Sequence, residues 1–363
     1  MKIAYDPIYN FHSGYHDEIV SSTADKIEWI KSSLINFYED CAWNSRNIDL
    51  RSSLFNHGYF ASDTICDAIF SPHIFLENKI PYILELEKVN WLFSDDYKHA
   101  SLPVDPWKIK LFEELVLREN LKAIIWYSKS AVFDFFNQFV PKYSIMTSVA
   151  QKIEHIGHTI YPASTQLPRA DNIHDTRKNQ FVIVANQKNW YRKGLDIAIS
   201  IFTKLHRKGI INWNFKIVGG SLSDELTSKI HPIKNNVEIV GLISKDTLLG
   251  LLSESSCLLS PSRAETFGTV IVQALNSGCY VVASSGKNTF ATKEILEPCK
   301  EISKVIESIG NKDEFDLPNE TQLYETIKHL ILNPQPLSQD RPKIYSRTML
   351  SKNFIKVLSK MEL

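Results

Sequence analysis

Apolar residues along the chain fall into two recurring patterns. Short unbroken runs, each closed by Gly, Pro, Ser or Asn, alternate with longer segments in which apolar residues return every three or four positions. The runs read as strands buried on both faces and the longer segments as helices. In the first 160 or so residues the runs are Ile3 to Tyr5, Asp67 to Phe70, Pro81 to Glu87, Ala123 to Tyr127 and Ile156 to Tyr161. A helix is expected from Ser22, where Ser22 and Asp25 fit a capping box and Ile27, Ile30 and Leu34 repeat at helical spacing. A second is expected between Asp105 and Asn120, capped by Asp105, with Pro106 in the first turn and Ile109, Phe112 and Val116 inward. A third follows Ser128 and runs through Phe139.

Near Leu167-Pro168 the pattern gives way to RADNIHDTRKNQ, a polar stretch that reads as an interdomain linker. The alternation then restarts, with strands at Phe181 to Ala185, Phe215 to Val218 and Val237 to Val240, and helices at Leu195 to Lys208 and Asp246 to Ser255. A last helix, from about Ser346 to Lys360, carries Met349, Leu350, Phe354, Val357 and Leu358 as its apolar stripe. Strands alternating with helices argue an α/β fold with two parallel sheets, one in residues 1–167 and one in 168–345.

The segment Ser260 to Ser285, SPSRAETFGTVIVQALNSGCYVVASS, holds the clearest chemistry. Cys257-Leu258-Leu259 is a strand end, and a polar loop carries Glu265. A helix begins near Gly268 and buries Val270, Ile271, Ala274 and Leu275. Gly278 closes it, and Tyr280 to Ala283 returns as a strand. Thr269 and Gln273, four apart, share another face of the helix. The N–H groups and positive dipole end at the helix start suit an anion such as a diphosphate. A carboxylate beside a phosphate site suits a ligand that also carries hydroxyls, and a nucleotide sugar has both parts. On physics alone, a helix capped by ordinary polar residues fits equally.

PSRAETFG, the Gln-Ala that follows and SGCYVVAS together resemble the donor-site signature of family 4 of the retaining nucleotide-sugar glycosyltransferases. That signature has two glutamates separated by seven residues. Here Glu265 stands at the first and Gln273 at the second. The resemblance implies the GT-B fold: two Rossmann-like, doubly wound domains facing a central cleft. It makes 1–167 the acceptor domain and 168–345 the donor domain, with the final helix, 346–363, packed back on the first.

The resemblance also assigns roles. Glu265 meets hydroxyls of the transferred sugar, while N–H groups near Thr266, Phe267, Gly268 and Thr269 meet the phosphates. Gln273 takes the place of the ribose-binding glutamate. An amide accepts only through its carbonyl and carries no charge, so that contact weakens by about 1–2 kcal/mol. Lys193-Gly194 in NWYRKG matches the Lys-Gly whose lysine meets the diphosphate. The usual Gly-Arg appears as Ala185-Asn186, and Arg192 is the candidate for the missing charge. Gly241-Leu242-Ile243 matches the segment on which the base rests, and Gly14 in FHSGYH matches a glycine turn over the diphosphate. PYILELEK places Glu87 where many members carry a histidine, with Glu85 on the same strand face. Glu87 is a candidate catalytic carboxylate; its bland reading is a salt bridge to a cation such as Lys88.

Composition narrows the rest. Lys plus Arg and Asp plus Glu are 41 each, so a nucleic-acid partner is disfavoured. There are 5 cysteines, scattered and without a Cys-x-x-Cys pair, which read as reduced thiols. With no signal-like start and no membrane-length apolar run, the expectation is a cytoplasmic protein. AVFDFFNQFVPKY groups Phe133, Phe136, Phe139 and Val140 near Lys142, a candidate for peripheral contact with the inner membrane face, or simply helix core. There is no Asp-x-Asp, so no metal is expected, and His12 and His16 read as ordinary polar residues. No Gly-x-Gly occurs, so a dinucleotide fingerprint is excluded.

The expected activity is retaining, metal-independent transfer of a sugar from a nucleotide donor, UDP by default, to a saccharide or lipid-linked glycan in cell-surface glycan assembly. No cofactor is expected beyond the nucleotide sugar as co-substrate. The alternative is a non-catalytic GT-B subunit that binds the nucleotide sugar. A GT-B enzyme that epimerises or phosphorolyses has less support.

Overall fold

A run such as Tyr82-Ile83-Leu84 is apolar on every side because each such strand lies inside a parallel sheet covered by helices on both faces. The computed structural model describes residues 1–7, 15–36, 57–60, 65–93, 104–165, 179–312, 315–334 and 342–361. They divide into two units, Met1–Pro162 with Arg347–Leu363, and Ala163–Ser346. The division falls a few residues before the expected boundary at 167.

The first unit contains β1 (Lys2–Tyr5), α1 (His16–Thr23), β2 (Glu28–Lys31), β3 (Leu34–Asn36), β4 (His57–Phe60), β5 (Ala68–Pro72), β6 (Phe75–Leu76) and β7 (Tyr82–Leu86). After these come α2 (Pro106–Leu117), β8 (Leu121–Trp126), α3 (Lys129–Asp134), a π-helical turn (Phe135–Phe139), α4 (Val140–Tyr143), α5 (Thr147–Ile156) and β9 (Gly157–Thr159). The main sheet runs β2-β1-β5-β7-β8-β9, with every pair parallel. β3, β4 and β6 form a small separate sheet.

The helix expected from Ser22 is not there. Ser22 and Thr23 end α1 instead, their hydroxyls donating back to the carbonyl of Ile19. Residues 28–31 pair with β1, and Trp29 packs edge-on to Tyr5 and Phe70. Ile27, Ile30 and Leu34 matched a helical spacing, but an open edge beside β1 supplied hydrogen bonds that outweigh local propensity. Of the apolar group near Phe133, Phe139 is buried against Phe93, Phe112 and Phe135, whereas Phe133 is exposed. The last helix (Arg347–Leu358) belongs to this unit: Phe354 meets Phe70 and Trp29, and Arg347 pairs with Glu18 at 2.8 Å.

The second unit contains β10 (Gln180–Val184), α6 (Leu195–Arg207), β11 (Asn214–Val218), α7 (Asp224–Ile230), β12 (Val237–Gly241), α8 (Lys245–Ser253) and β13 (Cys257–Ser260). It continues with α9 (Thr269–Asn276), β14 (Tyr280–Ser285), α10 (Ala291–Leu296), β15 (Ser303–Lys312), β16 (Phe315–Pro318) and α11 (Glu320–Leu332). The sheet order is β12-β11-β10-β13-β14-β15-β16, parallel except for β16. Its core stacks Phe181, Phe202 and Phe215 with Ile217, Leu259 and Ile327. Asn276, fully buried, donates to the carbonyls of Ser164 and Tyr345 and so ties both ends of the unit to α9.

This strand order reverses between β10 and β13, and ligands of doubly wound sheets bind outside the carboxyl ends of strands at such a reversal. The two loops there touch at Gly194, whose φ is +69° and whose missing Cβ would land on the carbonyl oxygen of Pro261. Gly194→Ala therefore adds left-handed strain to a collision with backbone, and we expect it to cost about 2–3 kcal/mol or more of the second unit's stability. Urea unfolding measures this; a loss within about 0.5 kcal/mol of wild type would show that the loops do not bear on each other here.

Candidate functional site

The loop after β10 (185–194) and the loop after β13 (261–268) build one polar cluster. Asn186 starts it by folding the first loop: its side-chain oxygen accepts from the N–H groups of Lys188 and Asn189. That leaves Asn186 as a turn-former as well as a candidate ligand contact. The turn presents Arg192 and Lys193, and α6 begins directly after Gly194.

The second loop is held from several sides. Arg263 forms a two-pronged ion pair with Asp196 on α6, at 2.7 and 2.8 Å, and its guanidinium stacks on Tyr191 at 4.0 Å. Its backbone N–H donates to the carbonyl of Arg192 and its carbonyl accepts from Asp316 N–H, both at 2.7 Å. The Asp316 carboxylate in turn accepts from the backbone of Asn288 and the hydroxyl of Thr289, and Glu265 N–H donates to the carbonyl of Asn288. Neither Arg263 nor Asp316 was singled out from the sequence. Arg263 stood inside the motif, but nothing local to it names Asp196, 67 residues away.

Held in this way, Glu265 is 7% exposed and its carboxylate forms an ion pair and hydrogen bond with Lys193. Arg192 lies 3.8 Å from the other carboxylate oxygen and donates to the carbonyl of Ala264 at 3.1 Å. The three charged residues named from the sequence thus meet at one point. Gly268, at φ +79°, turns the chain into α9; a Cβ there would meet Ile271 at 2.9 Å and Glu265 at 3.3 Å. Thr266 and Phe267 are buried in the loop, Thr269 is half-buried, and Gln273 is buried one turn into the helix. Val270, expected inside, is half-buried. Ile243 is half-buried just past β12, at the sheet edge two strands from β10, beside an exposed Leu242. Gly14 lies outside the described residues.

The first unit has a second polar cluster at the carboxyl ends of β5, β7 and β8. Glu85 is fully buried. One of its oxygens lies 3.1 Å from His16 Nε2 and 3.4 Å from His73 Nδ1, and the Tyr127 hydroxyl is 3.3 Å from the same His16 nitrogen. Burial pushes the Glu85 carboxyl up to about 7 and drives His16 down to about 3; His73 is lowered for the same first reason. Burial thus favours the neutral forms of all three groups. Glu87, one residue past β7, is half-buried with its carboxylate 3.9 Å from His73 Nε2, and Lys88 pairs with Asp134 at 3.6 Å. His16 is thus a buried partner of Glu85, not an ordinary loop histidine. What made it buried is the start of α1 beneath β7, which no local pattern shows.

Two α/β units with parallel sheets, the second ordered as a dinucleotide-binding sheet, define the GT-B class, and solved structures agree. HepE from Anabaena, in complex with UDP and glucose, matches with a TM-score of 0.61 at 13% identity, covering 99% of this chain and 100% of that one. WaaG, a glycosyltransferase involved in lipopolysaccharide biosynthesis, matches at 0.57 and 14% identity, covering 99% and 96%. At such identities the likeness is one of fold. Residues 178–311, within the second unit, match the family model "Glycosyl transferases group 1". The gpi3 subunit of phosphatidylinositol N-acetylglucosaminyltransferase from Schizosaccharomyces pombe is 28% identical over 113 residues. That match spans 30% of this chain and about a quarter of the length of the curated relative, 24%.

The Glu85 cluster makes a prediction with a definite sign. A carboxyl raised in the fold loses stability as pH rises from its unfolded value, near 4.5, to its folded one, near 7, because only the folded form still holds the proton. Glu85→Gln has nearly the shape of the protonated acid and cannot ionise. Urea unfolding should find it equal to wild type near pH 4 and more stable by up to about 3 kcal/mol above pH 7. A gap that does not change with pH would mean that the Glu85 carboxyl has the same pKa in the folded and unfolded chain.

Proposed function

We propose that the chain transfers a sugar, with retention at the anomeric carbon and without a metal, from a nucleotide-sugar donor to a hydroxyl of a saccharide or lipid-linked glycan. The observation that carries this is the meeting of Lys193, Arg192 and Glu265 at the start of α9, on the strand reversal of a group 1 glycosyl transferase sheet. Cations and a helix N-terminus attract a diphosphate; a carboxylate among them accepts from sugar hydroxyls. One arrangement addresses both halves of a nucleotide sugar.

The chemistry asked of these groups is modest. As the bond from the anomeric carbon to the diphosphate breaks, negative charge grows on the phosphate oxygens, where Lys193, Arg192 and the N–H groups of Gly268 and Thr269 stabilise it. Glu265 fixes the sugar so that the acceptor hydroxyl approaches on the face the diphosphate leaves, and the diphosphate takes the acceptor's proton. Gln273 accepts from the ribose through its amide oxygen. Glu87, half-buried in the first unit, can only accept when ionised, and so suits a hydroxyl oriented by its own hydrogen or positive charge developing on the sugar ring. UDP is the proposed nucleotide, supported by the UDP in the HepE complex. The partial likeness to the gpi3 subunit of a phosphatidylinositol N-acetylglucosaminyltransferase supports a lipid-linked acceptor.

A second reading is favoured by Gln273 and Glu87, which replace residues common in related enzymes: a partner subunit that binds the donor without turning it over. Purified protein with UDP-sugars separates the two, since donor consumption excludes the second.

The site itself makes asymmetric predictions. Lys193→Ala should weaken UDP binding by about tenfold or more, the loss of one charge-assisted contact. Glu265→Gln should cut turnover by about a hundredfold or more and leave UDP affinity unchanged or tighter, because it releases Lys193 from its partner. Calorimetry with UDP and a transfer assay check both. Near-wild-type turnover in Glu265→Gln, or unchanged affinity in Lys193→Ala, would contradict the assignment.

A further inference from the structure

The first unit holds a concave pocket of about 730 Å³ that includes none of the candidate site residues described above. It lies where β8 begins, between α5, the edge strand β9 and the end of the last helix. Cationic or protonatable groups reach it from each of these: Lys122 on β8, Lys152 and His155 on α5, His158 on β9 and Lys360 just past the last helix. Glu119 is the one acidic lining residue.

Like charges converge in a folded protein only at a cost, and surface lysines ordinarily offset it by pairing with carboxylates. Among the described residues Lys122, Lys152 and Lys360 have no ion-pair partner within 4.0 Å, nor does Lys356 beside them. Lys152 is half-buried, with one N–H given to the carbonyl of Arg118 at 2.6 Å. The field shows on His158, which burial lowers first and Lys360, Lys356 and His155 lower further. Leu121 and Val357, both buried, give the pocket an apolar floor.

We infer that this pocket binds the phosphate group of a ligand whose remainder is partly apolar. A phosphate oxyanion accepts from several lysines at once, and Leu121 and Val357 receive a carbon skeleton. The inference is independent of the donor site, because all its residues lie in the other unit. Two sources share this chemistry, a soluble phosphate ester and a phospholipid headgroup, and the experiment separates them.

The site-specific readout is the ring titration of His158 by NMR on the full chain. Glycerol 3-phosphate should raise its midpoint by about one pH unit if the ligand is soluble. Vesicles of phosphatidylcholine with phosphatidylglycerol, but not phosphatidylcholine alone, should bind the protein if it is a headgroup. Either binding should weaken with added salt. Lys122→Gln with Lys360→Gln, both away from the core, should weaken it about tenfold or more, whereas Lys193→Ala should leave it intact. The inference is overturned if neither probe acts, if the double variant binds as wild type does, or if Lys193→Ala abolishes the effect.

Discussion

A carboxylate held 7% exposed against an ammonium group is the constraint on which the second unit's functional edge depends. Removing two charges from water costs several kcal/mol for each ion, and the pair returns this only when its geometry is held. The surrounding contacts hold it. Gly194 lets the Lys193 loop lie on Pro261, Gly268 lets the helix start close over Glu265, and Arg263 clamps both loops through Asp196, Tyr191 and Arg192. A ligand offering phosphates to Lys193 and hydroxyls to Glu265 satisfies both partners at once, so the pair is a pre-arranged pattern of charge for such a ligand.

The first unit uses burial in the opposite sense. Glu85 has two histidines and a tyrosine around it and, among the described residues, pairs with no lysine or arginine, so its environment favours the neutral acid. Glu87, two residues on and half-buried, keeps more solvent.

The sequence carried the second unit well, because its strands are short apolar runs closed by Gly, Pro, Ser or Asn and its site residues lie in the loops that follow. Lys193, Arg192 and Glu265 could be named from two local motifs, and the fold brings them together. What stayed hidden was long-range: Asp196 and Asp316 as supports of the loop, and His16 under Glu85. The misread helix at Ser22 failed for a related reason, since apolar residues three and four apart also fit a strand whose edge position tolerates polar neighbours. Thr147–Ile156 and Glu320–Leu332 went unread although their buried residues, Val149 and Ile153 in one and Leu323, Tyr324, Ile327, Leu330 and Ile331 in the other, follow helical spacing.

The most direct measurement is a crystal structure with an intact UDP-sugar analogue bound. The account predicts that Lys193 Nζ then lies within hydrogen-bonding distance of the diphosphate, that the diphosphate sits at the start of α9, and that Glu265 accepts from a hydroxyl of the sugar. A nucleotide sugar bound elsewhere, with the Lys193–Glu265 pair unchanged, would contradict it.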